Sequence, residues 1–260
     1  MKIKVACIQM DIAFGQPERN FENAFRWIEE AARSQCRLIV LPELWTTGYD
    51  LPRLNEIGDP NGEQLKGFLK KCAKKFNVDI IGGSTAQIKD SKFYNSLFAV
   101  DKNGQVVKEY SKLHLFKLMD EHHFLSSGRD HALFNLNGHT FASFICYDIR
   151  FPEWLRKHVL QGAEAIFVVA EWPLPRLNHW KTLLVARAIE NQCYVVACNR
   201  SGDDPKNTFA GHSLIIDPWG EIIAEGSEGE GLIVGEIDMD LVKKVRKQIP
   251  VFDDRLSDFY

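Results

Sequence analysis

Three side chains of different chemistry stand just beyond three apolar runs: Glu43 in LIVLPELW, Lys112 in EYSKLHLF and Cys146 in FASFICYDIRFPEW. In an α/β sheet, ligands bind in the crevice past the carboxyl ends of the strands. Three separate stretches can therefore deliver a carboxylate, an ammonium and a thiol to one place. Taken singly, the three residues read as a solvated turn acid, a surface lysine and an inert buried cysteine; it is their combination that suggests chemistry. Cys146 comes six residues before Pro152, which suits the first turn of a helix, so it sits at a strand-to-helix elbow of the kind that exposes nucleophiles. A nearby cation lowers a thiol pKa, and Lys112 is placed to help form the thiolate. Glu43 can take the thiol proton and later activate water, while Lys112 stabilises the oxyanion of a tetrahedral intermediate. Together the three make an acyl-transfer device.

The elements that must position these residues follow from hydrophobic spacing. Ile3 to Met10 reads as a buried strand, and Asn20 as the cap of a helix carrying Phe21, Phe25, Ile28 and Ala32 on one face. A short strand from Arg37 to Leu41 stops at Pro42, and a helix over Gly62 to Phe76 repeats the unit. Asp79 to Ser84 reads as the next strand, and Phe93 to Asp101 with Gln105 to Ser111 as a hairpin around Lys102-Asn103-Gly104. The second half resembles the first in layout. Strands are expected at Thr140 to Ile145, Ala165 to Ala170 and Cys193 to Cys198, with helices over Pro152 to Gln161 and His179 to Gln192. Strands at Gly211 to Ile216, Glu221 to Ala224 and Leu232 to Ile237 then precede a last helix around Asp240 to Lys247, with Asp217-Pro-Trp-Gly220 as a turn. Strands alternating with helices, followed by antiparallel pairs and no linker, predict one α/β domain over residues 1–260 with mixed sheets.

Composition narrows the classes. The 260 residues hold 32 Lys plus Arg and 35 Asp plus Glu, a net charge of −3, so neither nucleic acid nor another polyion is the expected partner. No apolar run approaches the ~20 residues that span a bilayer. The opening meets Asp11 before a signal-peptide core could form, so a cytoplasmic location is expected. The six cysteines, at 7, 36, 72, 146, 193 and 198, include no C-x-x-C pair. Five read as packing residues. His122, His123 and His131 lack the spacing of a metal site.

The segments L-P-E-L-W, Y-S-K-L-H-L-F and C-Y-D-I-R-F-P-E resemble the three signature segments of the nitrilase superfamily of carbon-nitrogen hydrolases, in family order. The likeness runs from the first strand to the final QIPVFDDRLSDFY. It implies a four-layer αββα sandwich with two mixed sheets, no metal or organic cofactor, and a homodimer. Carried over, Glu43 is the general base, Lys112 the oxyanion stabiliser and Cys146 the acylated nucleophile, and Glu121 in MDEHHFLSSG matches a second glutamate. The backbone N–H of Tyr147 completes the oxyanion hole. Tyr49 and the exposed aromatic Trp172 are expected near the pocket, with Arg176 as partner for a substrate carboxylate. Asp148, Arg150 and Glu153 are expected to brace the elbow through ion pairs. Within the superfamily, E-W-P-x-x-R-x-x-H-W, A-R-A-I-E-N-Q and the tail look most like the ω-amidase branch, whose substrates are small 2-oxo dicarboxylic monoamides such as 2-oxoglutaramate. Deaminated-glutathione or N-carbamoyl-amide hydrolysis, a catalytically silent binding protein and a redox thiol protein are the alternatives.

Overall fold

The computed structural model describes residues 2–259; Tyr260, the last residue of the tail motif, lies outside them. Its elements in chain order are β1 (Lys2–Gln9), α1 (Pro17–Arg33), β2 (Leu38–Val40), α2 (Leu54–Ile57), β3 (Asp59–Pro60), α3 (Glu63–Phe76), β4 (Asp79–Lys89), β5 (Lys92–Val100) and β6 (Val106–Ser111). Then follow α4 (Glu121–Phe124), β7 (Leu133–Leu136), β8 (His139–Ile145), α5 (Pro152–Leu160), β9 (Ala165–Ala170), α6 (Leu177–Asn191), β10 (Tyr194–Asn199), β11 (Leu214–Ile216), β12 (Ile222–Glu225), β13 (Gly231–Asp238) and α7 (Met239–Gln248).

Two mixed sheets result. The first has the order β13-β1-β2-β4-β5-β6, with β3 beside β4, and the second the order β12-β11-β10-β9-β8-β7. Each has parallel strands at its centre and antiparallel ones at its rims, with β1, β2 and β4 parallel in one and β8, β9 and β10 in the other. Alternation along β1 and β2 explains the layering. Val5, Cys7, Leu38 and Val40 point into the apolar core shared with the second sheet. Ala6, Ile8, Ile39 and Leu41 point the other way, against Ala24 and Ile28 of α1 and Leu65 and Leu69 of α3. A strand buried on both faces reads as an unbroken apolar run, as these do. On the far side, Leu155 and Val159 of α5 and Trp180, Leu184 and Ala188 of α6 close the second sheet. Helix, sheet, sheet, helix is the four-layer sandwich that the sequence led us to expect.

Asn20 departs from expectation. The first helix begins at Pro17, with Gln16 as its cap. Asn20 lies in the first turn, where its amide exchanges hydrogen bonds with the backbone of Ala13 and donates to Thr46 O at 3.1 Å. It is a clasp on the loop after β2 and not a cap. The strand expected from Gly211 starts only at Leu214, because Gly211 and His212 have positive φ.

That loop after β2 carries Glu43, and an irregularity in β4 seats it. The pairing of β4 with β5 shifts between Ile81 and Ser84. There Gly82 O accepts from Trp45 Nε1 at 2.8 Å, and Ser84 Oγ accepts from Leu44 N at 2.8 Å. Gly83 has φ +64°, and a Cβ at this position would lie 2.1 Å from Pro42 O. Only glycine fits both the conformation and the contact. Gly83→Ala is expected to lower unfolding stability by about 2 kcal/mol or more, measured by urea denaturation, with loss of activity because the Glu43 turn is displaced.

Candidate active site

Four side chains emerge from neighbouring strand ends: Glu43 just past β2, Lys112 directly after β6, Cys146 directly after β8 and Glu171 directly after β9. The first two belong to one sheet and the last two to the other, so the site lies where the paired sheets end together. Its centre is the Lys112 ammonium, which donates to Glu43 Oε1 at 2.8 Å and Glu121 Oε1 at 2.6 Å. All three side chains are wholly buried. Burial alone pulls the Lys112 pKa down, but Glu121 and Glu43 more than offset this and hold it well above the ordinary lysine range. Lys112 is therefore a fixed cation.

Each glutamate is anchored further. Glu43 Oε1 also accepts from Asn95 Nδ2 at 2.8 Å and Tyr49 Oη at 3.1 Å, and Oε2 accepts from the Glu171 backbone N–H at 2.8 Å, a bond across the two sheets. Glu121 Oε1 takes a 2.6 Å bond from Tyr49 Oη, and Oε2 one of 2.6 Å from Phe116 N. Burial raises the Glu121 pKa, with Lys112 offsetting part of the effect. Asn95 serves twice, since its backbone carbonyl also accepts from Lys112 N at 2.8 Å.

Cys146 opens a short helical turn, Cys146–Arg150, with φ +44°. A non-glycine residue with positive φ at a strand-to-helix turn is the strained elbow anticipated from the sequence. Asp148 holds it: its Oδ2 accepts from Ile145 N at 3.1 Å and Tyr110 Oη at 2.8 Å, and its Oδ1 from His114 N at 3.1 Å. This ties the elbow to β6 and to the loop that follows Lys112. Arg150 and Glu153 do not share the bracing role expected of them. Glu153 is exposed, and the Arg150 guanidinium lies 4.8 Å above the Trp172 ring with Nη2 at 3.3 Å from His179 Nδ1.

The same charges act on the thiol. Burial, then Glu43, push the Cys146 pKa well above that of a free thiol, and Lys112 only partly counters them. The resting group is a neutral thiol, so a base must remove its proton during reaction.

A cleft lined by Phe116, Tyr147, Arg150, Glu171, Trp172, Pro173 and Arg176 leads to Cys146. Tyr147, Trp172 and Arg176, three of the residues expected at the pocket, line it. Trp172, however, is buried rather than exposed, its Nε1 donating to Arg176 O at 2.8 Å. Arg176 lies 5.4 Å from the Phe116 ring centroid. Tyr49 is not part of this cleft; its hydroxyl is used up between the two glutamates. Arg150 and Glu171 were missed as cleft residues. Arg150 lies four residues past Cys146, and Glu171 follows an apolar strand directly, as Cys146 and Lys112 do, which was the available signal.

Two mixed sheets packed face to face, flanked by helices, with a cysteine, a lysine and two glutamates gathered at their strand ends, are the arrangement of the nitrilase fold. The chain belongs to the carbon-nitrogen hydrolase family, whose profile matches residues 4–247. It is 54% identical over 260 residues to a 2-oxoglutaramate amidase of Bacillus subtilis, covering all of both chains. It is 33% identical to omega-amidase YafV of Yersinia enterocolitica, over 97% of this chain and 96% of that one. Among solved structures, Saccharomyces cerevisiae Nit3, a member of branch 10 of the nitrilase superfamily, superposes with a TM-score of 0.89 at 29% identity, covering 96% of this chain and 94% of that one.

If the resting Cys146 is a neutral thiol, wild-type protein and Cys146→Ala should show the same far-ultraviolet thiolate absorbance at about pH 7. An excess in the wild type corresponding to one thiolate would contradict the assignment.

Proposed function

We propose that this chain is an ω-amidase: it hydrolyses the terminal amide of a 2-oxo dicarboxylic monoamide, with 2-oxoglutaramate as the leading candidate, through a thioester on Cys146. The observation that carries this reading is a pair of guanidinium groups, Arg150 and Arg176, lining the cleft that ends at Cys146, neither with a carboxylate partner among the described residues. Unpaired, partly buried guanidinium groups suit a substrate carboxylate. The full-length identity to a 2-oxoglutaramate amidase supports the same substrate.

In the reaction, Glu43 takes the Cys146 proton and the sulfur attacks the amide carbon. The carbonyl oxygen becomes an oxyanion held by the Lys112 ammonium and the Tyr147 N–H. As the tetrahedral intermediate collapses, Glu43 returns the proton to nitrogen, the C–N bond breaks and ammonia leaves. Water then attacks the thioester, giving one proton to Glu43, which passes it to the departing sulfur. The products are the dicarboxylic 2-oxo acid and ammonia. Glu121, locked to Lys112 and Tyr49, sets the direction of the ammonium and so acts as a positioning group. The Glu43 to Glu171 backbone bond, which joins halves of the chain 128 residues apart, supports residues 1–260 acting as one catalytic domain. No helix among the described residues is long and apolar enough to cross a membrane. We place the protein in the cytoplasm, as a homodimer acting on a small amide, with neither nucleic acid nor membrane as partner.

Cys146→Ala should lower ammonia release at least a thousandfold on every amide tested while circular dichroism stays unchanged. Arg176→Leu should raise KM for 2-oxoglutaramate about ten- to a hundredfold, the worth of a charge-assisted hydrogen bond, and leave an uncharged amide such as butyramide little affected. A tenfold preference in kcat/KM for N-carbamoyl-β-alanine or glutamine would overturn the ω-amidase reading.

A further inference from the structure

We infer that Glu171 reads the 2-position of the substrate, its free carboxyl oxygen donating a hydrogen bond to the 2-oxo group. This rests on the substrate class proposed above. Glu171 is wholly buried yet lines the cleft beside Cys146. Its Oε2 accepts from Arg200 Nη1 at 2.9 Å, whereas its Oε1 is buried with no hydrogen-bond partner. Every carboxylate oxygen of Glu43 and Glu121 in the same site is occupied. An orphaned buried polar atom costs about 1–3 kcal/mol; Asn95 Oδ1 is orphaned too, but of the two residues only Glu171 lines the cleft, where a ligand can complete the bonding.

The cleft specifies what that ligand atom is. Phe116, Tyr147, Trp172 and Pro173 present apolar walls. In a bound monoamide, the amide carbonyl faces Lys112 and the Tyr147 N–H, the amide nitrogen faces Glu43, which returns a proton to it, and the carboxylate faces Arg150 and Arg176. The 2-oxo oxygen is then the one polar substrate atom left without a protein partner, and it can only accept. A donor is required from Glu171, hence a carboxylic acid and not a carboxylate.

The surroundings of Glu171 favour that form. Arg200 faces it, but is itself shared with Asp11 Oδ1 at 2.7 Å and with the backbone carbonyls of Ile12, Ser201 and Asp203. Glu43 and Asp204 act on it through their charge, Tyr49 and Cys146 belong to the same group of interacting side chains, and Arg150 and Arg176 lie in the same cleft. Burial raises the pKa to about 8 against the pull of Arg200, with Glu43 and Asp204 adding to the rise. The proton is therefore present at neutral pH and lost above about 8. With Oε2 as the carbonyl that accepts from Arg200, Oε1–H is free to donate. A 2-ammonium group, as in glutamine, has three N–H donors and no acceptor, so it would meet this donor with donors alone and be disfavoured.

The test uses 2-oxosuccinamate and succinamate, which differ only at the 2-position; the shorter chain cannot close to a five-membered lactam as 2-oxoglutaramate can. The quantity read is the ratio of kcat/KM values for the two compounds, in which titrations of the shared machinery cancel. For the wild type the ratio should be at least about tenfold at pH 7 and fall toward one as pH rises through about 8. In Glu171→Gln the side-chain oxygen can accept from Arg200 and the NH2 group can donate at every pH, so the ratio should no longer vary with pH. A wild-type ratio near one at pH 7, or a decline that persists unchanged in Glu171→Gln, would overturn the role of Glu171. Failure of the wild type to hydrolyse either compound or 2-oxoglutaramate would instead overturn the substrate class, and this inference with it.

Discussion

The site depends on one buried cation. Lys112 has no access to solvent, and a desolvated ammonium is tolerated only when opposite charge and hydrogen bonds replace its water. Glu43 and Glu121 supply both at 2.8 and 2.6 Å. Two buried carboxylates sharing one ammonium need further donors, and Tyr49, Asn95, Phe116 N and Glu171 N provide them. Those donors come from the loop after β2, from β5, from the loop ahead of α4 and from the end of β9. The charge cluster thus holds together segments remote in sequence, and removing one charged member typically costs 3–5 kcal/mol because its partner is left unpaired. Catalytic geometry and local stability are one network, with Lys112 at its node.

The same cluster governs the thiol. Burial and the carboxylates around Cys146 keep it protonated at rest, which protects it from oxidation and from adventitious alkylation. The other cysteines are buried. Burial likewise pushes the Cys72 and Cys193 thiols up to about 12.

Much of this was legible in the residues. Strands buried on both faces announce themselves as apolar runs, and β1, β2, β8, β9 and β10 lie within a few residues of where their runs placed them. Glu43, Lys112 and Cys146 were found because each follows such a run. Glu121 was located by likeness alone, since its helix spans only Glu121–Phe124 and four residues carry no periodicity. Asn20 was misread because its clasp on Ala13 and Thr46 is a tertiary contact, invisible to local capping rules. Trp172 was judged exposed, although its indole N–H finds a carbonyl four residues on and lets the ring sink into the core. Arg150 was assigned to the elbow by proximity in sequence, whereas its side chain reaches across to Trp172. The size of the thiol's upward shift is not legible in the sequence, because it is set by burial and by carboxylates that meet Cys146 only in the fold.

In the proposed reaction Cys146 carries the acyl group between amide cleavage and hydrolysis. Rapid acid quench of the wild type turning over 2-oxoglutaramate, followed by intact and peptide mass analysis, tests it directly. The account predicts a transient adduct equal to the substrate less ammonia, located on the peptide containing Cys146 and formed no later than the first ammonia is released. Ammonia release with no such adduct at any quench time, or with the adduct on another residue, would contradict it.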